Sequence, residues 1–181
     1  MSDKLLATSG QTIGPFFGYA LPYDGGEDLV PAHHPNAVPL HGTVYDGAGT
    51  PVPDSLVEIW QADATGMILD VDARGSLTRD GYTFTGFGRS ATTRDSHYSF
   101  TTVEPGAPSG STAFFSVIVF ARGLTDKLHT RIYVPGADDA FLSSLPVERR
   151  ATLIARRQSD GSLHHDIHLQ GEEETVFRDF G

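Results

Sequence analysis

His164, Asp166 and His168 alternate along residues 163–169, so a strand there would carry two imidazoles and a carboxylate on one face. Those donor types bind non-haem iron or zinc. Same-side neighbours on a strand stand about 7 Å apart, too far to share one ion, so exposed polar alternation is the favoured reading. His33 and His34 sit between Pro31 and Pro35 and read as surface or interface residues. Asp54 and Glu58 have a helical spacing in a stretch that reads as turn and strand, so they should not converge as an acid–base pair. Glu172, Glu173 and Glu174 read as a solvated loop. No G-x-S-x-G elbow, H-E-x-x-H or phosphate loop occurs. By these criteria the chain assembles no complete active site of its own.

Length and charge narrow the options. A chain of 181 residues suits one domain with a real core. The absence of cysteine excludes disulfide scaffolds, thiolate metal sites and cysteine nucleophiles, and suits a reducing cytoplasm. No apolar run has the length of a signal peptide or a membrane span, which fits a cytoplasmic protein. A formal net charge of −10 argues against nucleic acid or an anionic membrane as partner. An anionic ligand would need a specific arginine to override that field.

The elements that must position any site are short strands. Residues 1–38 are rich in Gly and Pro and read as an arm packed on a partner subunit, followed by a β-sandwich over 39–181. Strands are expected at 40–45, 56–61, 97–103, 114–121, 128–134, 151–157 and 163–169. Helix is confined to short turns at 138–145 and 146–150, with Asp and Pro as start signals. Along 128–134, alternation puts Leu128, Thr130, Ile132 and Val134 toward a core and His129, Arg131 and Tyr133 on a polar lining. Residues 114–121 are apolar on both faces, which predicts a central strand or one under a subunit contact.

The stretch 40–68 reads L-H-G-T-V-Y-D-G-A-G-T-P-V-P-D-S-L-V-E-I-W-Q-A-D-A-T-G-M-I. With Q-T-I-G-P-F-F at 11–17, L-H-T-R-I-Y at 128–133 and Q-G-E-E-E-T-V-F-R-D-F at 170–180, it resembles the intradiol ring-cleavage dioxygenases in conserved order along nearly the whole chain. The resemblance implies an all-β sandwich that opens a catechol ring with O2 between its hydroxyl carbons. It is closest to the alpha type of chain in two-chain members. There, Fe(III) is held by two tyrosines and two histidines of a homologous beta subunit, within a higher-order alpha–beta oligomer.

Carried over residue by residue, the four iron-ligand positions fall on Ile68, Pro108, Phe114 and Ser116, none of which is a ligand type for that ion. The chain is therefore expected to be metal-free and to hold no catalytic residue. The resemblance also implies that Thr12, Gly14, Pro15 and Phe16 of the arm line the partner's substrate pocket. Phe16 stands where many relatives have Tyr and so lacks its hydroxyl. Arg131 is the matching arginine, either on a substrate carboxylate or in an ion pair at the subunit contact. Two rivals are a free-standing enzyme with rearranged ligands, such as Tyr82 or Tyr98, and a transthyretin-like binding module without enzymatic partner.

Overall fold

The computed structural model describes residues 12–14, 16–69, 80 and 82–178. Among these residues nine strands form two sheets: β1 (Ala37–Tyr45), β2 (Leu56–Trp60), β3 (Phe87–Ala91), β4 (His97–Val103), β5 (Phe114–Phe120), β6 (Leu128–Tyr133), β7 (Arg156–Arg157), β8 (Leu163–His164) and β9 (Ile167–His168). One sheet has the order β4-β1-β8-β7, with β9 also paired to β1, and the other β3-β2-β5-β6. The described residues also form three short helices: α1 (Phe17–Ala20), α2 (Ala140–Ser144) and α3 (Val147–Ala151).

Period-two alternation builds the core between the sheets. Leu40 and Val44 of β1, Tyr98 and Phe100 of β4, Val57 and Ile59 of β2, and Phe115, Val117 and Val119 of β5 all point inward and are buried. A smaller cluster lies on the outer side of β6, where Leu142 of α2 and Leu153 cover Tyr133.

The two sides of β1 are closed differently. β4 pairs with it antiparallel along its whole length, whereas β8 and β9 pair with it parallel in two short pieces. Between those pieces the His165 carbonyl turns inward and accepts the Tyr98 hydroxyl at 2.6 Å. It comes so near β1 that a Cβ on Gly42 would stand 1.7 Å from it, so only glycine fits there. The His165 imidazole is 4% exposed, and its Nε2 donates to the Thr152 carbonyl at 3.0 Å.

Several expectations are corrected. Residues 163–169 are two strands interrupted at His165 and Asp166, because the Asp166 carboxylate takes the Thr43 amide that a ladder would have used. Residues 151–157 yield only β7, since Ala151 completes α3 and Ile154 merely bridges Tyr133. β3 was not expected, and neither was α1. The arm boundary at 38 moves toward the N-terminus. Leu29 and Val30 are 1% and 2% exposed, Leu29 joins the main core, and residues 26–29 hydrogen-bond to Thr101 and Arg89. Tyr133, expected on a polar lining, is fully buried by α2 and the segment after α3.

Burial holds the His165 imidazole down to about 4, well below its ordinary 6.5. The unfolded chain therefore binds a proton that the folded chain does not between those values. Stability is expected to be complete above about pH 6.5 and to fall by roughly 3 kcal/mol as the pH drops toward 4. Urea unfolding across that range checks this, and His165→Gln should flatten the slope while lowering stability at neutral pH.

Candidate functional site

Register places four strands' outward side chains in rows across the β3-β2-β5-β6 sheet. One row runs Phe87, Trp60, Ser116, Arg131, and the next runs Arg89, Glu58, Ile118, His129. In the second row Glu58 is neutralised by Arg89, with its Oε1 2.7 Å from Nε. Asp54 is committed elsewhere, to Arg122 at 2.7 Å, so the expectation that Asp54 and Glu58 do not converge holds.

Trp60, Ser116 and Arg131 of the first row floor a cavity of about 280 Å³. Two loops wall it. The loop after β2 carries Ile68, and the loop after β4 carries Pro108; they touch through Gly66 and Gly106, whose amides both donate to the Asp63 carbonyl, at 3.0 and 2.8 Å. Gly66 has φ +87°, and a Cβ there would lie 2.2 Å from the Ala107 carbonyl, so glycine permits the approach. The Asp63 carboxylate caps its own loop through Thr65 and Met67. The Thr65 hydroxyl holds that carboxyl below its ordinary value.

Ile68, Pro108, Phe114 and Ser116 thus line one cavity together, beside Trp60, Gln61, Thr112, His129, Arg131 and Arg178. The four positions named from the resemblance converge in space, although they come from three separate segments. Their side chains do not fit Fe(III). They supply two aliphatic groups, a phenyl ring and a hydroxyl, and among the described residues the cavity lining offers a single imidazole, His129, and no carboxylate or phenol.

Arg131 is held on three sides. Its guanidinium carbon lies 4.0 Å from the Phe114 ring centroid, Nη1 donates to the Tyr133 hydroxyl at 2.9 Å, and Nη1 is 3.5 Å from Asp139. Asp139 also accepts the Tyr133 hydroxyl at 2.9 Å and caps α2 through the Leu142 amide at 2.7 Å. Burial raises the Tyr133 phenol above its ordinary value, which keeps it neutral between the two charges.

The arm residues lie at the other end of the same face. The Ile13 amide donates to the Leu124 carbonyl, and Phe17 stacks on Phe120 with centroids 6.1 Å apart. Phe120 is four residues from Ser116 on β5, roughly 13 Å along the strand. Within this chain, then, Thr12, Gly14 and Phe16 are not brought to Arg131, and Pro15 lies outside the described residues. Phe16 is 76% exposed, whereas Phe17 is buried against its own sheet.

The histidine strand is dispersed. His164 contacts Asp166 at 3.3 Å and His168 stacks on Tyr45. Among the described residues no group of three or more His, Cys, Asp or Glu is placed to hold a metal ion. Of the tyrosines considered as alternative ligands, Tyr98 is sealed in the core with its hydroxyl on His165, and Tyr82 is exposed. Sequence reasoning missed Trp60 and Arg178 in the cavity wall. The register of β2 against β5 was the signal for Trp60, and Arg178 had none because it arrives through an irregular segment whose amide bonds to the His129 carbonyl.

The sandwich, with a cavity where the four positions expected from the resemblance meet, points to a class, and comparison with known proteins agrees. Residues 13–113 match the model of the dioxygenase family. The chain belongs to the intradiol dioxygenase family. It is 34% identical to the protocatechuate 3,4-dioxygenase alpha chain of Burkholderia cepacia, over 97% of this chain and 98% of that one, and 36% identical to the alpha chain of Pseudomonas putida, over 98% of each. The beta chain of the Burkholderia cepacia enzyme is 31% identical over 85% of this chain and 78% of its own length. In fold, the dioxygenase domain of a carbohydrate-binding fusion from Streptomyces sp. SirexAA-E superposes with a TM-score of 0.55 at 20% identity, covering 93% and 92% of the two chains.

Asp139→Ala removes both the α2 cap and the anion beside Arg131. Loss of the cap alone should cost about 1 kcal/mol, read as a lower denaturation midpoint, whereas Asp139→Asn should recover most of it.

Proposed function

We propose that this chain is the metal-free alpha partner in a protocatechuate 3,4-dioxygenase, working beside a homologous beta subunit that holds Fe(III). One observation carries the reading: the four ligand positions converge on one cavity yet carry side chains that cannot bind the ion. Near-complete coverage of two alpha chains supports it. The reaction is intradiol cleavage of protocatechuate with O2 to 3-carboxy-cis,cis-muconate in the cytoplasm, within the beta-ketoadipate route of aromatic catabolism.

In this reading the chain contributes shape and charge. Thr12, Gly14, Pro15 and Phe16 line the partner's substrate pocket, which agrees with Phe16 and Tyr19 being exposed here at 76% and 87%. Arg131 offers its guanidinium to the substrate carboxylate. On a chain of net charge −10 such a contact must be local and specific. Co-expression with a beta chain, followed by metal analysis and a ring-cleavage assay, tests the whole reading. A complex with no added turnover over the beta chain alone counts against it.

Two outcomes are expected. The chain purified without partner should contain no stoichiometric iron and show no purple-red tyrosinate band; one equivalent of iron would refute the assignment. In the complex, Arg131→Ala should raise KM for protocatechuate by the equivalent of about 1.5 to 3 kcal/mol, the worth of a charge-assisted hydrogen bond. Plain catechol, which has no carboxylate, should change much less. Equal losses for both would make Arg131 a structural interface residue.

A further inference from the structure

The helix α1 is a single turn, and a single turn does not hold itself: nucleation orders about three residues for one hydrogen bond. Nothing at its ends offsets that cost. It has no side-chain bond at its N-cap, no acidic residue in its first turn and no basic residue in its last. Its place on the sheet must therefore come from outside the helix. Phe17 supplies one anchor through Phe120. Arg89 of β3 supplies the other.

Arg89 meets the segment after α1 at three points. Nη1 donates to the carbonyl of Leu21, the C-cap residue of α1, at 2.5 Å. The guanidinium carbon lies 5.5 Å from the Tyr23 ring centroid, and the Arg89 amide donates to the Gly26 carbonyl at 2.7 Å. Gly26 is drawn so close that a Cβ on it would stand 2.9 Å from the Arg89 carbonyl. From the sheet side, one Glu58 oxygen lies 2.7 Å from Nε and 2.6 Å from Nη2, and the Phe87 ring flanks the guanidinium at 5.4 Å. Glu58 is 7% exposed and stands directly across the ladder from Arg89, so the register of β2 and β3 fixes the pair. A cation held by the sheet thus caps a helix that would not form alone.

We propose that Arg89 is the positioning residue of the arm: aligned by Glu58, it caps α1 and sets the direction in which Phe16 and Tyr19 leave the surface. The consequence for a substrate pocket rests on the role proposed above beside a beta subunit. Arginine suits the task because its planar fork meets Glu58, the Leu21 carbonyl and two rings at once. An ammonium on a flexible stem keeps Glu58 and gives up the rest.

Arg89→Lys is therefore the test, since it retains the charge opposite Glu58 and removes the fork. In the full chain, amide hydrogen exchange is followed by mass spectrometry at α1, where the Tyr19, Ala20 and Leu21 amides close the turn, and at β5. Exchange in α1 should rise about tenfold, the ratio equivalent to the lower end of a charge-assisted hydrogen bond, with β5 unchanged. Unchanged exchange in α1, or an equal rise in β5, overturns the proposal. Should Arg89→Lys fail to fold, Glu58→Leu with Arg89→Met replaces the pair by apolar groups, a change often neutral for stability, and is read the same way.

In the complex with a beta chain, Arg89→Lys should raise KM for protocatechuate and for plain catechol by the same factor, about threefold or more, because only chains with the arm in place bind well. The kcat should stay nearly unchanged. A rise confined to protocatechuate, as expected of Arg131, or a lower kcat at unchanged KM overturns the proposal. If the unaltered complex shows no added turnover, the role beside a beta subunit fails, and the exchange rates alone decide whether Arg89 holds the arm.

Discussion

Strand register is the constraint on which the rest depends. A strand's side chains alternate between faces, so a slip of one residue would exchange core for surface along its whole length. In the β3-β2-β5-β6 sheet, the register that buries Phe115, Val117 and Val119 also sets Trp60, Ser116 and Arg131 side by side on the opposite face. Packing energy on one side fixes functional geometry on the other. Burying such side chains contributes about 1.5 to 3 kcal/mol each, which is far more than the outward row could supply for itself.

That coupling explains why so much could be read beforehand. Strong alternation in 97–103 and the apolar run at 114–121 gave elements close to those found, because each is governed by one buried face. That Ile68, Pro108 and Phe114 share one cavity was legible only through resemblance, since nothing local relates them; their convergence depends on two loops touching at Gly66 and Gly106. β3 was hidden because Phe87–Ala91 carries Gly88, Arg89 and Ser90, which look like loop until Arg89 finds Glu58. The arm boundary was misplaced for a related reason. Glycine and proline around Leu29 and Val30 masked two residues that plug the main core.

The separation of arm and arginine has a physical consequence for the proposed role beside a second chain. Thr12, Gly14 and Phe16 at one end of a sheet face and Arg131 at the other cannot meet in a cavity of this subunit. Any surface that uses both must span the face between them. Ile118 and Phe120 lie on that stretch of β5, partly exposed and apolar, as expected for ground that a neighbouring chain covers.

The closure of β1 has a temporal consequence. One of its edges is covered only when residues 163–168 arrive, and the bond from Thr43 to Asp166 spans 123 residues of chain. Pairings so distant in sequence slow folding, because the entropy of closing the loop is spent before the contact is gained. During synthesis β1 therefore waits with an open, parallel-seeking edge until residues 163–168 have left the ribosome. Shortening the C-terminus would make that waiting state permanent and turn a transient folding step into a site for aggregation.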